Sequence, residues 1–412
     1  MSAQTAGRPR RLSRWIPAIA APIAIGIGVV LVPMQANAAV DLPDLTPEEL
    51  LELAASSEVD ALSGTIEQKS ELGLPDLSGL TGAMGGGTPG GSGSGDGGPR
   101  GGDAASATDL DDLVSLVTGT HTARVFLDGS NARLQVLDPL AERNVYLSDD
   151  GAWIYDSRAE AATHVTVDEA ALDALEADAE ARAEDARAQL EAELGAPLPT
   201  PDEVLDQALA RLDETTEVSV GTDARVAGRE VYELVLEPRD SDTLVGEIRV
   251  AIDGDTGVAL AASVTARDAA EPAFSVAFTD VSFEAPEASV FDFTPPEGTE
   301  VTLHEVPVPT AAELEQWKAD AEAGVQHNGE RMPHPIVHGE GWSAVVELPA
   351  GEAAAGGLGA EASAMLDTLT ERVDGGRILQ TSLVTVLLTG DGRVLAGAVP
   401  ADHLLDVAAS GR

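Results

Sequence analysis

The sequence predicts an α+β protein dominated by antiparallel sheet, on three observations. Residues 218–293 fall into short alternating runs separated by turn signals, and a second set of such runs lies between 120 and 167. Helix starts with capping residues frame these runs at Thr46 and Thr200. A short mixed segment, 341–412, follows as a small C-terminal α+β module.

The hairpin series is the part on which the rest is organised. Strands are predicted over 218–226, 231–237, 244–252, 258–266 and 274–283, with Ala227-Gly228-Arg229, 239–242 and Asp253-Gly254-Asp255-Thr256-Gly257 between them. Asp-Gly is a strong hairpin signal because glycine accepts the positive φ of a tight turn. Val231, Glu233, Val235 and Glu237 oppose Tyr232, Leu234 and Leu236, so both faces carry apolar surface.

Upstream, five more strands are expected at 120–127, 133–137, 144–148, 152–156 and 163–167, forming an up-and-down meander split by Asp128-Gly129, Asp138-Pro139, Asp150-Gly151 and Ser157-Arg158. Ala61 to Ser70 alternates as a further strand. Before it, Leu45-Thr46-Pro47-Glu48-Glu49-Leu50 combines a capping box, a proline at the first helical position and a hydrophobic staple. That helix should run to about Ser57 and bury Leu50, Leu53 and Ala54. Thr200-Pro201-Asp202-Glu203 repeats the start signal before Leu205, Leu209 and Leu212. Residues 168–194 read as an acidic, alanine-rich helix with a solvated face.

Composition sets the outer bounds. The 412 residues are 43% hydrophobic, enough for a core, with only 3% aromatic. Net charge is −47, and the first 38 residues contribute four arginines and no acids, so the acidic excess lies beyond them. That balance argues against nucleic acid as a partner and against direct docking on anionic headgroups. With no cysteine there is no disulfide, thiolate chemistry or cysteine-borne lipid anchor.

Arg8, Arg10, Arg11 and Arg14 precede an uncharged apolar run from Trp15 to Val32, then Ala36-Asn37-Ala38. Residues 1–38 are therefore expected to be a signal peptide cut after Ala38, or else an N-terminal membrane anchor; Pro17 and Pro22 weaken the anchor reading. The body is then extracytoplasmic, secreted or held at the outer face of the cytoplasmic membrane. Residues 82–102 hold 12 glycines among 21 positions, without the Gly-Lys-Ser/Thr of a phosphate loop, and read as a flexible insertion that buries no core.

The stretches Gly151-Ala152-Trp153-Ile154-Tyr155-Asp156, Val226-Ala227-Gly228-Arg229-Glu230-Val231-Tyr232-Glu233-Leu234, Ile252-Asp253 before Gly257, and Phe291-Asp292-Phe293-Thr294-Pro295-Pro296-Glu297-Gly298 resemble the outer-membrane lipoprotein carrier (LolA-like) superfamily, including its RseB-like sigma-factor regulatory proteins. The resemblance covers about residues 40–305. It implies an incomplete antiparallel β-barrel, a half-barrel with helices over its concave face, and an apolar cavity for acyl chains. It also implies a lipid- or lipoprotein-binding carrier with no cofactor, or alternatively a sensor that binds a membrane anti-sigma factor in envelope stress. The glycine insertion and acidic helix depart from the family pattern, and the carriers' lid-fastening arginine has no assigned counterpart. Val145, Leu147, Trp153 and Tyr155 lie on adjacent strands at two-residue spacing and are the cavity candidates, expected to share one face.

The domain reading is thus 1–38 export segment, 39–305 LolA-like domain interrupted at 82–102, 306–340 linker with a helix from Thr310, and 341–412 C-terminal module. In that module, strands are expected at 341–348, 378–388 and 394–399, with helices at 360–373 and 402–409. His327, His334 and His338 cluster with Glu330 and Glu340, but Pro333 and Pro335 forbid the helix that i,i+4 ligands need, so no metal site is assigned. Asp253-Gly254-Asp255 opens like a calcium loop, yet position 12 is Val264, and the turn reading is preferred. No nucleophile elbow or zincin motif occurs, and the chain reads as a non-enzyme.

Small residues at both recognition positions, Ala36 and Ala38, give one direct expectation. N-terminal sequencing of the exported protein should begin at Ala39; a start at Met1 or Ser2 would favour the anchor.

Overall fold

The computed structural model describes residues 42–73, 119–138, 141–168, 214–306, 335–348 and 369–410, with residues 308, 310, 313 and 316. The export segment, the glycine-rich insertion, the acidic helix, the helix after Thr200, His327 and His334 lie outside the described residues.

Helix α1, Pro47–Ala55, forms where the capping box predicts it. Glu49 Oε2 accepts from the Thr46 amide at 2.8 Å, and Thr46 Oγ1 accepts from the Glu49 amide at 3.3 Å. Leu50 is fully buried against Tyr232, Leu234 and Ile252.

A 13-stranded sheet carries most of the fold. Its first half is β1 (Ala61–Ser70), β2 (Gly119–Asp128), β3 (Asn131–Asp138), β4 (Ala141–Ser148), β5 (Gly151–Asp156) and β6 (Ala161–Val167), each beside its sequence neighbour. Its second half is β7 (Thr216–Val220), β8 (Ala224–Val226), β9 (Arg229–Pro238), β10 (Val245–Asp253), β11 (Ala259–Ala266) and β12 (Pro272–Ser282). The halves join because β1 pairs antiparallel with β2 on one side and β12 on the other. The sheet is open: β7 lies at one end, and β13 (Glu300–Val306) at the other.

Two expectations for this sheet need correction. The predicted 218–226 strand is two strands, β7 and β8, both paired with β9. The Gly221 amide still donates to Glu233 O at 2.7 Å, after which Thr222 and Asp223 leave the ladder, and the Asp223 carboxylate accepts from the Leu42 amide at 3.2 Å. Nor is the sheet wholly antiparallel. Strand β13, not foreseen, runs parallel to β6 from Glu300 beside Ala161 to Val306 beside Val167.

A second sheet has the order β14-β15-β19-β18-β17-β16. Its strands are β14 (Ile336–His338), β15 (Val345–Leu348), β16 (Glu371–Val373), β17 (Gly376–Gln380), β18 (Thr385–Thr389) and β19 (Val394–Gly397), with helix α2 at Ala401–Ser410. Ile336–His338, read as linker, is thus a strand, while residues 341–343 are a 3-10 turn. The single strand expected at 378–388 breaks at 381–384, where Thr381 Oγ1 accepts from the Leu383 and Val384 amides at 3.2 and 2.8 Å. A local hydroxyl acceptor here replaces the ladder. The helix expected at 360–373 lies largely outside the described residues, and its last three residues are β16. Leu404 and Ala408 of α2 pack with Val345, Ile378, Leu387, Leu395 and Val399.

The two sheets share a packed boundary. Leu383, Trp342 and Ala398 meet Val245, Ala266 and Ala273. Ala398 O accepts from the Leu244 amide at 2.7 Å, and Leu72 O accepts from the Ser382 amide at 2.9 Å. Trp342 Nε1 donates to Thr216 Oγ1 at 2.8 Å, which satisfies the indole.

The β10–β11 turn is fixed by a buried carboxylate. Asp253 takes two hydrogen bonds from Arg229, at 2.7 and 2.8 Å, and accepts from Thr256 Oγ1 at 2.8 Å. Burial pushes the Asp253 carboxyl up, but the hydrogen bonds from Arg229 and Thr256 outweigh it, and the net direction is down. A carboxyl held below its unfolded value stabilises the fold above that value and stops doing so as pH falls through the folded one. Thermal melts should therefore lose stability on acidification below about pH 4. Asp253→Asn should cost about 1–3 kcal/mol at neutral pH by weakening the charged hydrogen bonds to Arg229, which keeps Asp255 at 3.1 Å, and should flatten that part of the acid slope.

A candidate ligand-binding face

Alternation gives the large sheet two faces of different character. On one, the register aligns Ile154, Val145, Leu134, Val125 and Gly64 across β5, β4, β3, β2 and β1. The same face continues through Phe278 and Val276 of β12 to Val250 and Leu234, where α1 covers it. Gly64 is required there: a Cβ would come within 2.7 Å of the Phe278 ring. Near the centre, Ile66, Ala123 and Val136 are buried. Towards the β4–β5 end, cover runs out among the described residues. Val145, Leu147 and Ile154 are 41%, 42% and 49% exposed.

The other face carries Tyr146, Trp153 and Tyr155. Arg133 Nη2 and Nε donate to Asn144 Oδ1 at 3.0 and 3.3 Å, and Nη1 donates to Val290 O at 3.3 Å. Its guanidinium lies 4.7 Å from the Tyr146 ring centroid. Burial pushes the Tyr146 phenol up, opposed by the Arg133 charge. Phe293 then stacks on Tyr146 at 4.8 Å and meets Trp153 and Tyr155 at 5.3 and 5.4 Å. Trp153 also lies flat on His164 at 4.1 Å. A strap of chain around residues 288–293 is thus fastened across this face by one cation and one ring.

The four sequence candidates therefore separate. Val145 and Leu147 stand on the apolar face; Trp153 and Tyr155 stand on the opposite face beneath Phe293. The reason is the hairpin register. A two-residue turn at 149–150 pairs Ser148 with Gly151, which sets Val145 beside Ile154 and Tyr146 beside Trp153. Ile154 and Leu134 join Val145 and Leu147 on the apolar face, and counting register through that turn identifies Ile154 from sequence.

No family model matches the chain, and no curated protein does. Among solved structures it is similar to the MucA/MucB complex structure from Pseudomonas aeruginosa, at 15% identity over 88% of this chain and 96% of that one, TM-score 0.37. A LolA superfamily protein from Nitrosomonas europaea matches at 10% identity over 61% and 99% of the two chains, TM-score 0.21. A putative outer membrane lipoprotein-sorting protein domain from Vibrio parahaemolyticus matches at 11% over 60% and 95%, TM-score 0.20. At these scores the similarity carries no argument about what the chain binds.

Because Phe293 closes the aromatic face, Phe293→Ala should lower stability by about 1–3 kcal/mol in chemical denaturation. The apolar face, on the other side of the strands, should be untouched, so any binding there should be retained.

Proposed function

We propose that this chain is an exported, non-enzymatic binding protein that lays an acyl chain, from a lipid or lipoprotein, along the apolar face of its large sheet. The observation that supports the reading is the open stretch at Val145, Leu147 and Ile154, continuous with a buried apolar row that ends under α1. Contiguous exposed apolar surface of this kind marks a binding site more often than it serves folding. Long, unbranched apolar ligands suit a face with aliphatic side chains and no charged group in the row from Ile154 to Val125.

Carboxylates near or in the core are used structurally, which supports the non-enzymatic part. Asp253 faces Arg229, Glu233 faces Arg249 at 2.9 Å, and Glu347 sits between His338 at 2.7 Å and Arg393 at 3.3 Å. The Trp153 and Tyr155 rings, engaged with Phe293, have no part in the proposed site.

Titration with a fluorescent fatty acid tests the proposal. Wild type should bind saturably, and Leu147→Asp should lose binding by about 100-fold or more while circular dichroism and the melting temperature hold. The carboxylate faces water in the empty protein but apolar chain in the complex. A folded Leu147→Asp that binds normally, or wild type that never binds, would sink the reading. Unfolding of the variant would mean that Leu147 is core.

A further inference from the structure

Among the described residues, the end of the large sheet at β13 is an open edge. All seven residues from Glu300 to Val306 are exposed, with Leu303 at 75%. Strand β6 satisfies one side of β13. The Glu300 amide donates to Glu160 O at 2.8 Å, so Glu300 points its peptide groups inward. Peptide groups alternate sides along a strand, and a residue's own N–H and C=O share a side. Val301, Leu303 and Glu305 therefore turn their N–H and C=O groups outward, away from β6.

Natural edges of this length are usually blunted by lysine, a bulge or an inserted proline. Strand β13 has none of these; Pro307 and Pro309 follow it only in the sequence after Val306. Charge narrows the choice of what could pair there. Between Glu284 and Val306 the chain holds six carboxylates and no lysine or arginine. A second copy is a poor occupant, since it would lay the same acidic stretch, with Glu300 and Glu305 and no lysine or arginine, alongside these carboxylates.

We infer that β13 is a docking edge for an extended segment of another protein, one with apolar residues at alternate positions flanked by lysine or arginine, which adds as a strand beyond β13. The outward groups of Val301, Leu303 and Glu305 supply the main-chain bonds, Leu303 the apolar contact, and Glu300 and Glu305 the selection for basic flanks. This site is separate from the proposed acyl-binding face, and its occupant is a peptide.

Fluorescence anisotropy with a labelled nonapeptide of alternating valine and threonine, flanked by lysines, provides the test. Saturable binding is expected, weakened by about tenfold or more when glutamates replace the lysines or when the protein carries Leu303→Pro. Proline at 303 removes an outward N–H and none of the bonds to β6. Fatty-acid binding should be the same in Leu303→Pro as in wild type, so failure here is separable from failure of the proposed function. Amide exchange in wild type covers the case of a misfolded variant: the peptide should slow Val301, Leu303 and Glu305, and leave Thr302 and His304 unchanged. No saturable binding, equal binding by a folded Leu303→Pro, or slowed exchange elsewhere would overturn the inference. So would a wild-type dimer in sedimentation that Leu303→Pro converts to monomer, since the occupant would then be a second copy.

Discussion

Everything in the large sheet depends on one strand being gripped from both sides. Ser63 of β1 stands opposite both Phe126 and Ser282, and Ser70 opposite both Gly119 and Phe274. Without β1 the molecule is two separate meanders, each with an unpaired edge and half a core. The pairing is also the most expensive in chain entropy, since Ser63 and Ser282 are distant in sequence, and contacts of that span form late. The close approach at Gly64 is where this constraint is felt most. The Phe278 ring occupies the space a side chain would need, beside a register shift between Thr65 and Ile66.

Once β1 is in place, strand alternation divides the labour between the faces. The apolar face is continuous and partly open, whereas the opposite face is closed by polar and aromatic fastening, with Arg133 holding the Val290 carbonyl. Two carboxylates show how finely that second environment is set. Asp253 is driven below its ordinary value by its hydrogen bonds, while Glu233 is driven above it, because burial there outweighs the pull of Arg249. The contrast follows from donors: Asp253 takes three side-chain bonds, two from Arg229 and one from Thr256, and Glu233 shares Arg249 with Glu247.

Sequence made the elements legible where a local chemical signal existed. The capping box at Thr46, the alternation from Ala61 to Ser70 and the turn pairs of both meanders all mark what folds there. It was less informative where the outcome depended on counting or on a distant partner. Val145 and Trp153 were expected on one face, but a two-residue turn shifts parity between the strands, and a shift of one residue exchanges the faces. Strand β13 carries too little apolar alternation to stand out, and it exists only because β6 offers it an edge. Thr381 broke an apolar run through a hydroxyl whose preference for its own backbone is weak in any sequence count.

The connection between β1 and β2 leaves Ser70 and returns at Gly119, two residues that face each other in the ladder. Its departure is held as well, by the Ser382 amide on the Leu72 carbonyl. With its two ends fixed side by side, the entropic cost of closing such a connection grows only slowly with its length. Such a junction is a natural port for insertion: a reporter domain spliced into it should leave the register of the sheet as it is.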